Sequence, residues 1–487
     1  MKLTIKNIVT SLIFQCITII CGFIVPKLIL SNYGSSVNGL VTSITQFLTY
    51  ITLLEAGFGP VIKSVLYKPI ANNDKKTIKK ILKTSEKIFR KIAYIFIAYI
   101  IILCIVLPTI LSDEFDFIFT VSLILIIAIS TFAEYFFGMT YKLFLHANQK
   151  PFVTYTISAI TLVLNTVTVI VLIKLGASIQ IVKLAGALIF ALRPLVHNIY
   201  VKKKYNINLR EVKEQYEIKQ KWDALSQHIS YIILTNTDVI VLTFFSDIKE
   251  VSVYGIYMLI IRELGNIVAS FIGGMDASFG KMLVKGEVEE VNKKFDKFVN
   301  YYYSISTIIF GSALFLIIPF IRLYTSGITD ANYIRPVFCY IMLAFSFIYS
   351  LKIPYYDLVK VTGKFKETNK GAWIEAILNV SLSISLVFKY GIVGVAIGTI
   401  VSTLYRTFEI MYFSSKYILR ISFVRIIKKL LLIILQIVVI YLIVNNINYG
   451  DINNYYSLIL YSIIIVIISS IIIVLSRLLI KGAKKKN

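Results

Sequence analysis

Charge is what this 487-residue sequence has least of: 16% of its residues are Asp, Glu, Lys or Arg, against roughly 25% in soluble domains. A soluble chain of this length would form about two or three domains with polar faces, and the polar surface to cover them is missing. Disordered and fibrous classes are excluded by the same balance, since 57% of residues are hydrophobic. Cysteine is scarce as well. Cys16, Cys21, Cys104 and Cys339 all fall inside apolar runs, which argues against a disulfide framework. His146, His197 and His228 show no metal-ligand spacing, so they read as interfacial residues rather than ligands. No phosphate-binding glycine loop and no paired-cysteine motif occur. Nucleotide hydrolysis is therefore unsupported, and no catalytic residue, cofactor or metal is expected.

In place of these the sequence holds fourteen apolar runs, each near the roughly 20 residues that cross a bilayer core. They lie near 9–30, 36–61, 92–112, 117–139, 152–173, 178–200, 226–246, 252–273, 300–321, 333–353, 372–388, 391–413, 428–445 and 456–478. The first resembles a signal peptide in having Lys2 and Lys6 ahead of it, but no small-x-small cleavage site ends it, so it is expected to be retained. Lys and Arg number 51 against 26 Asp and Glu, a formal charge of +25. In a soluble protein that excess would point to nucleic acid. Here it is concentrated in every second connecting segment, such as Asn73–Lys91 with Lys75, Lys76, Lys79, Lys80, Lys83, Lys87 and Arg90, while the alternate turns are short and include Asp113-Glu114-Phe115-Asp116. The positive-inside rule then puts the basic segments and both termini in the cytoplasm. The charge reads as membrane topology in a multi-pass plasma-membrane protein, with no nucleic acid as partner.

The chain also resembles itself. Tyr141-Lys142-Leu143 parallels Tyr356-Asp357-Leu358, Asn165 parallels Asn379, Lys174 parallels Lys389, Gly176 parallels Gly391, Gly186 parallels Gly398 and Arg193 parallels Arg406, all at offsets from 212 to 215. Six runs separate the copies, and an even number restores the orientation, so the halves are parallel repeats about an axis along the membrane normal. The expected architecture is an all-α polytopic membrane protein of about 14 transmembrane helices. It comprises a six-helix lobe over 1–200, a cytoplasmic linker over 201–225, a second six-helix lobe over 226–413, and an appended helix pair with a basic tail over 414–487.

An ionisable residue in mid-span costs roughly 2.5 to 3.5 kcal/mol on insertion scales and needs a partner or a purpose. Arg262, eleventh in its run, and Asp238, thirteenth in the run before it, both fall near the midplane. Two readings stand level: they neutralise one another, or Arg262 faces a central cavity where its guanidinium fork can hold a phosphate. Asp238 follows Thr235-Asn236-Thr237, a patch costly to expose to lipid and suited to a cavity wall. Lys27, directly after Pro26, serves either as a snorkelling cation or as a cavity residue. Glu375 with Arg406, and Glu134 with Arg193 in the first half, read as structural or gating pairs. Glu55 has no assignment.

These residues lie among motifs that resemble a known family. The stretch Leu53-Leu54-Glu55-Ala56-Gly57-Phe58-Gly59 through Tyr67-Lys68-Pro69 is similar to the Wzx-type polysaccharide flippases of low-GC Gram-positive bacteria. So are Lys221-Trp222-Asp223-Ala224-Leu225, Asn236-Thr237-Asp238-Val239, Val251-Ser252-Val253-Tyr254, and Gly363-Lys364-Phe365-Lys366-Glu367-Thr368 with Glu375 and Asn379. The likeness runs the length of the chain. It implies membership of the multidrug/oligosaccharidyl-lipid/polysaccharide exporter superfamily and transport of undecaprenyl-diphosphate-linked oligosaccharide to the outer leaflet for capsule, exopolysaccharide or a related glycan. The partners it implies are that glycan, membrane lipids, and a polysaccharide polymerase with its export machinery. The substrate-binding candidates are Lys27, Arg262, Asn236 and Asp238. Related lipid II flippases set basic residues on spans one, two and eight. Lys27 and Arg262 match spans one and eight, whereas span two carries Glu55 and no Lys or Arg. A lipid II flippase is the near alternative. A cation-coupled drug exporter of the same fold calls for a carboxylate in span one, which this span lacks, and a membrane polymerase calls for a large outer loop, where all are short.

Overall fold

The computed structural model describes residues 2–209, 212, 216–217, 222–272, 279, 282–283, 288–447 and 452–486, and every regular element among them is helical. Its contacts divide the chain into two compact units, Met1–Ile232 and Ile233–Asn487.

The first unit opens with α1, Lys2–Thr49. At about 1.5 Å per residue its 48 residues would reach about 72 Å, more than twice a bilayer core of about 30 Å. Gly34 breaks it with φ 84° and ψ 175°, inside the gap that the sequence leaves between runs one and two. Run two is not one helix. It continues to Thr49, resumes as α2 (Thr52–Ala56) and passes into α3 (Gly59–Ala71), because Pro60 lacks the amide that would extend a preceding helix and instead sits in the first turn of a new one. Next comes α4, Lys75–Ile110, whose basic first half and apolar second half form one continuous helix. Its first turn is capped by Asp74, which accepts from the Thr77 amide at 3.0 Å, as expected of an acidic N-cap. The unit continues with α5 (Phe117–Ala133), a π-helical segment Glu134–Gly138, α6 (Met139–Ala147), α7 (Pro151–Lys174) and α8 (Ile179–Tyr205).

The second unit holds most of α9 (Trp222–Phe245), then α10 (Ile248–Ser270), α11 (Val288–Tyr324), α12 (Pro336–Thr362), α13 (Phe365–Tyr390), α14 (Ile392–Phe413), a π-helical segment Ser414–Leu419, α15 (Phe423–Asn445) and α16 (Tyr455–Lys486). Among the described residues twelve helical stretches are long and apolar enough to cross a membrane, with Leu3–Ala56 counted as one and α14 not among them. Large apolar side chains cover the outside of these helices. On α7, Ile160, Val163, Leu164, Val167 and Val171 are all exposed, a helical stripe that water would not tolerate and lipid does.

Two helix pairs show how the residues matched by the internal repeat are used. In the first unit α7 packs on α8, and a Cβ at Gly186 would lie 2.5 Å from Asn165 Oδ1. In the second unit α13 packs on α14, and a Cβ at Gly398 would lie 2.5 Å from Ser383 Oγ and 3.2 Å from the Asn379 carbonyl. Each pair thus approaches through a glycine where a methyl group has no room.

Candidate functional site

Four helices of the second unit meet around one carboxylate. Asp238 on α9 is 2% exposed. Its Oδ2 accepts from the Tyr254 hydroxyl on α10 at 2.9 Å, and its two oxygens lie 2.8 and 2.9 Å from Thr399 Oγ1 on α14. Asn379 on α13 donates to that same Thr399 oxygen at 3.0 Å, and its own Oδ1 is buried with no hydrogen-bond partner. Among the described residues Asp238 has no basic side chain within ion-pair distance. The cluster thus holds a negative charge deep in a helix bundle with hydroxyl and amide oxygens around it. Hard oxygen donors of this kind accept a proton or a small hard cation, and the described residues contain no cluster of three or more His, Cys, Asp or Glu that could hold a metal ion.

Arg262 stands apart from this carboxylate. Its side chain is exposed on α10 and makes no ion pair among the described residues, so the neutralising pair with Asp238, one of the two readings above, is not formed. The physical reason is that Tyr254 and Thr399 already occupy the carboxylate, turning it into the α9–α14 contact. An exposed guanidinium in the middle of an apolar helix belongs against water or an anionic ligand rather than against lipid. Asn236, two residues before Asp238, is 5% exposed and donates to Thr235 Oγ1 at 3.1 Å. Lys27 belongs to the first unit, where it is half-buried on α1 beside Pro26.

Glu375 and Arg406 do meet, inside a larger network. Glu375 Oε2 lies 3.6 Å from Arg406 Nε, and its Oε1 lies 3.2 Å from Lys352 Nζ. Arg406 also reaches Glu409 at 2.5 Å and donates to the Thr368 carbonyl at 2.8 Å. The side chains of Lys352, Glu375 and Arg406 are 8%, 8% and 3% exposed. Two carboxylates and two cations thus close a buried, neutral cluster tying α12, α13 and α14 together. Lys352 and Glu409 were missed by the sequence reading, although a lysine directly inside the end of run ten was a visible signal.

In the first unit the expected Glu134–Arg193 pair is not formed. Glu134 pairs with Lys142 at 3.1 Å. The separation of eight residues is unusual, since one face of an α-helix recurs at seven. The π-helical segment that starts at Glu134 absorbs the extra residue and brings Lys142 onto the same side. Arg193 instead donates to Thr161 Oγ1 at 2.5 Å and to the Ser158 carbonyl at 3.3 Å, with its guanidinium 4.2 Å from the Phe190 ring. Thr161 precedes Glu375 by 214 residues, the repeat offset, so each arginine points at the matched position on the neighbouring helix. Only the chemistry at that position differs. Glu55 accepts from the Tyr135 hydroxyl at 2.9 Å.

No family model matches the sequence, and no curated protein matches it. Solved structures do match. A lipid II flippase, MurJ in an inward closed conformation, superposes with a TM-score of 0.67 at 17% identity, covering 98% of this chain and 100% of its own. An inward-facing multidrug resistance MATE family transporter of the MOP superfamily matches with a TM-score of 0.59 at 15% identity, over 82% of this chain and 94% of its own. The Vibrio cholerae MATE transporter VcmN in its bent form matches with a TM-score of 0.53 at 14% identity, over 86% of this chain and 97% of its own. This chain is therefore a multi-pass membrane protein with the fold of the MurJ and MATE transporters.

Proposed function

We propose that the chain is a flippase that carries undecaprenyl-diphosphate-linked oligosaccharide from the inner to the outer leaflet, for capsule, exopolysaccharide or a related surface glycan. The observation that carries this reading is Arg262: a guanidinium exposed in the middle of α10, with no carboxylate paired to it. Such a group binds a diphosphate through parallel hydrogen bonds, and in a membrane helix it is tolerated where water or ligand replaces lipid. Lys27 supplies a second cation to the transport path, and Asn236 and Asp238 its polar wall.

The physical task is to take a polar glycan and a diphosphate through hydrocarbon. A polar cavity between two six-helix lobes replaces the water around them while the polyprenyl tail stays in lipid, and rocking of one lobe against the other exchanges inner for outer access. In this reading α1 crosses twice, divided at Gly34, and α14 crosses once, which brings the twelve stretches to fourteen spans. The lobes are 1–200 and 226–413, joined by the linker 201–225, with 414–487 appended and both termini in the cytoplasm. Coverage favours a lipid carrier over a drug exporter, because the MATE structures above leave 14 to 18% of this chain unmatched whereas the lipid II flippase leaves 2%. The same observation supports a lipid II-type headgroup as the second reading.

Binding of an undecaprenyl-diphosphate oligosaccharide to the purified protein tests the assignment. Arg262→Ala should weaken binding by about 2 kcal/mol, the scale of a hydrogen bond to a charged group, or roughly thirtyfold. Arg262→Lys should recover part of the loss, since a point charge lacks the guanidinium fork. Equal affinity of Arg262→Ala and the parent protein would remove the residue from the site.

A further inference from the structure

The second unit contains a cavity of about 910 Å³ bounded by α11, α15 and α16 that the transport reading does not use. Five of its lining side chains are basic, Lys297, Arg425, Lys428, Lys429 and Arg477, and one is acidic, Asp296. The acid is already engaged, with Arg425 at 3.1 Å and Lys429 at 2.6 Å from the same oxygen. Arg477 spends one N–H on the Asn300 carbonyl and stacks 5.6 Å from the Tyr301 ring. Lys297 and Lys428 are exposed at the cavity. With four positive charges left over, the cavity is built for an anion.

Its place in the fold says which kind. Lys297 lies in the early turns of α11, Lys428 in the second turn of α15, and Arg477 in the last third of α16, so the charge gathers where three apolar helices leave the membrane. Further along α15 the lining becomes apolar at Leu432 and Ile433. The neighbouring Leu431, Ile434 and Leu435 are 59%, 57% and 58% exposed, forming a lipid-facing strip that runs on from the charged end. A cationic mouth joined to an apolar strip complements a phosphate headgroup with acyl chains below it.

We infer that this cavity binds the phosphate headgroup of an anionic membrane phospholipid, held by Lys297, Lys428 and Arg477. Phosphate is also the chemistry of a polyprenyl diphosphate, but a pocket open to the bilayer fills by mass action with the more abundant lipid. The inference depends on the helices crossing a membrane and not on the identity of the transported molecule.

The test uses the full-length protein in mild detergent, titrated with phosphatidylglycerol, phosphatidylcholine or undecaprenyl diphosphate, with retained lipid read by native mass spectrometry. The parent protein should retain phosphatidylglycerol in preference to phosphatidylcholine. A lysine beside an anionic lipid contributes about fivefold, so the double variant Lys297→Gln/Lys428→Gln should lose about 25-fold of that preference. Neither lysine touches the core, and an unchanged unfolding temperature in lipid-free detergent would confirm that the variant folds. Arg262→Ala should keep the full preference, which separates this site from the transport site. No preference in the parent protein, or an undiminished one in the double variant, would overturn the assignment. So would loss of undecaprenyl diphosphate binding alone, which would give the pocket to the transported lipid.

Discussion

At the scale of single residues, the buried ion cluster makes the firmest claim. Lys352, Glu375, Arg406 and Glu409 balance one another, and removing one partner leaves an uncompensated charge that typically costs 3 to 5 kcal/mol. Lys352→Met should therefore lower stability by about 3 kcal/mol, whereas the double change Lys352→Met/Glu375→Gln should restore most of it. Thermal unfolding in detergent reads both, and a single variant as stable as its parent would show that the cluster is solvated. This cluster was half legible from the sequence. Glu375 and Arg406 stood out because charge inside an apolar run is rare. Lys352, at the very end of its run, looked like a boundary residue, and Glu409 looked like the start of the next loop. Asp238 was legible as an oddity but not in its surroundings: nothing in a single sequence says that Tyr254 and Thr399, sixteen and 161 residues away, would close over it.

At the scale of helices, glycines decide how closely pairs approach. A Cβ on Gly394 would sit 2.3 Å from the Leu386 carbonyl oxygen, a backbone atom that cannot swing aside. At Gly186 the obstruction is the end of the Asn165 side chain, which can rotate. Gly394→Ala should therefore destabilise by about 1 to 3 kcal/mol, the usual cost of overpacking, and Gly186→Ala by clearly less, both measured as midpoint shifts on unfolding in detergent. The reverse order would mean that α13 and α14 are not packed as tightly as described. Apolar runs fixed the existence of nearly every helix in advance, because length and hydropathy suffice for that. They did not show the division of run two at Tyr50–Ile51 and Gly57–Phe58, or the π-helical turn that carries Lys142 to Glu134. Both are local backbone departures with no compositional mark beyond a proline or a glycine.

At the scale of the whole molecule, charge distribution makes a claim about topology that cysteine labelling can check. Lys76→Cys and Lys364→Cys should be protected from an impermeant thiol reagent in intact cells, and Glu114→Cys labelled, because the basic segments belong inside. The opposite pattern would invert the membrane orientation and with it the direction of transport. The repeat was readable because Gly and Asn at helix crossings keep their spacing, as Gly186 with Asn165 and Gly398 with Asn379 do. What a sequence of apolar helices cannot carry is the identity of the cargo, since the walls of a cavity are assembled from single polar residues scattered over many spans. The cargo is settled most directly by transport itself. Protein reconstituted into liposomes should make an undecaprenyl-diphosphate oligosaccharide, supplied in one leaflet, accessible to a glycosidase on the other side, and Arg262→Ala should reduce that rate about thirtyfold, in line with loss of a charged hydrogen bond. A lipophilic organic cation should not be moved. Transport of the cation by the parent protein with the glycan left in place would contradict the account and make the chain a drug exporter on the same fold.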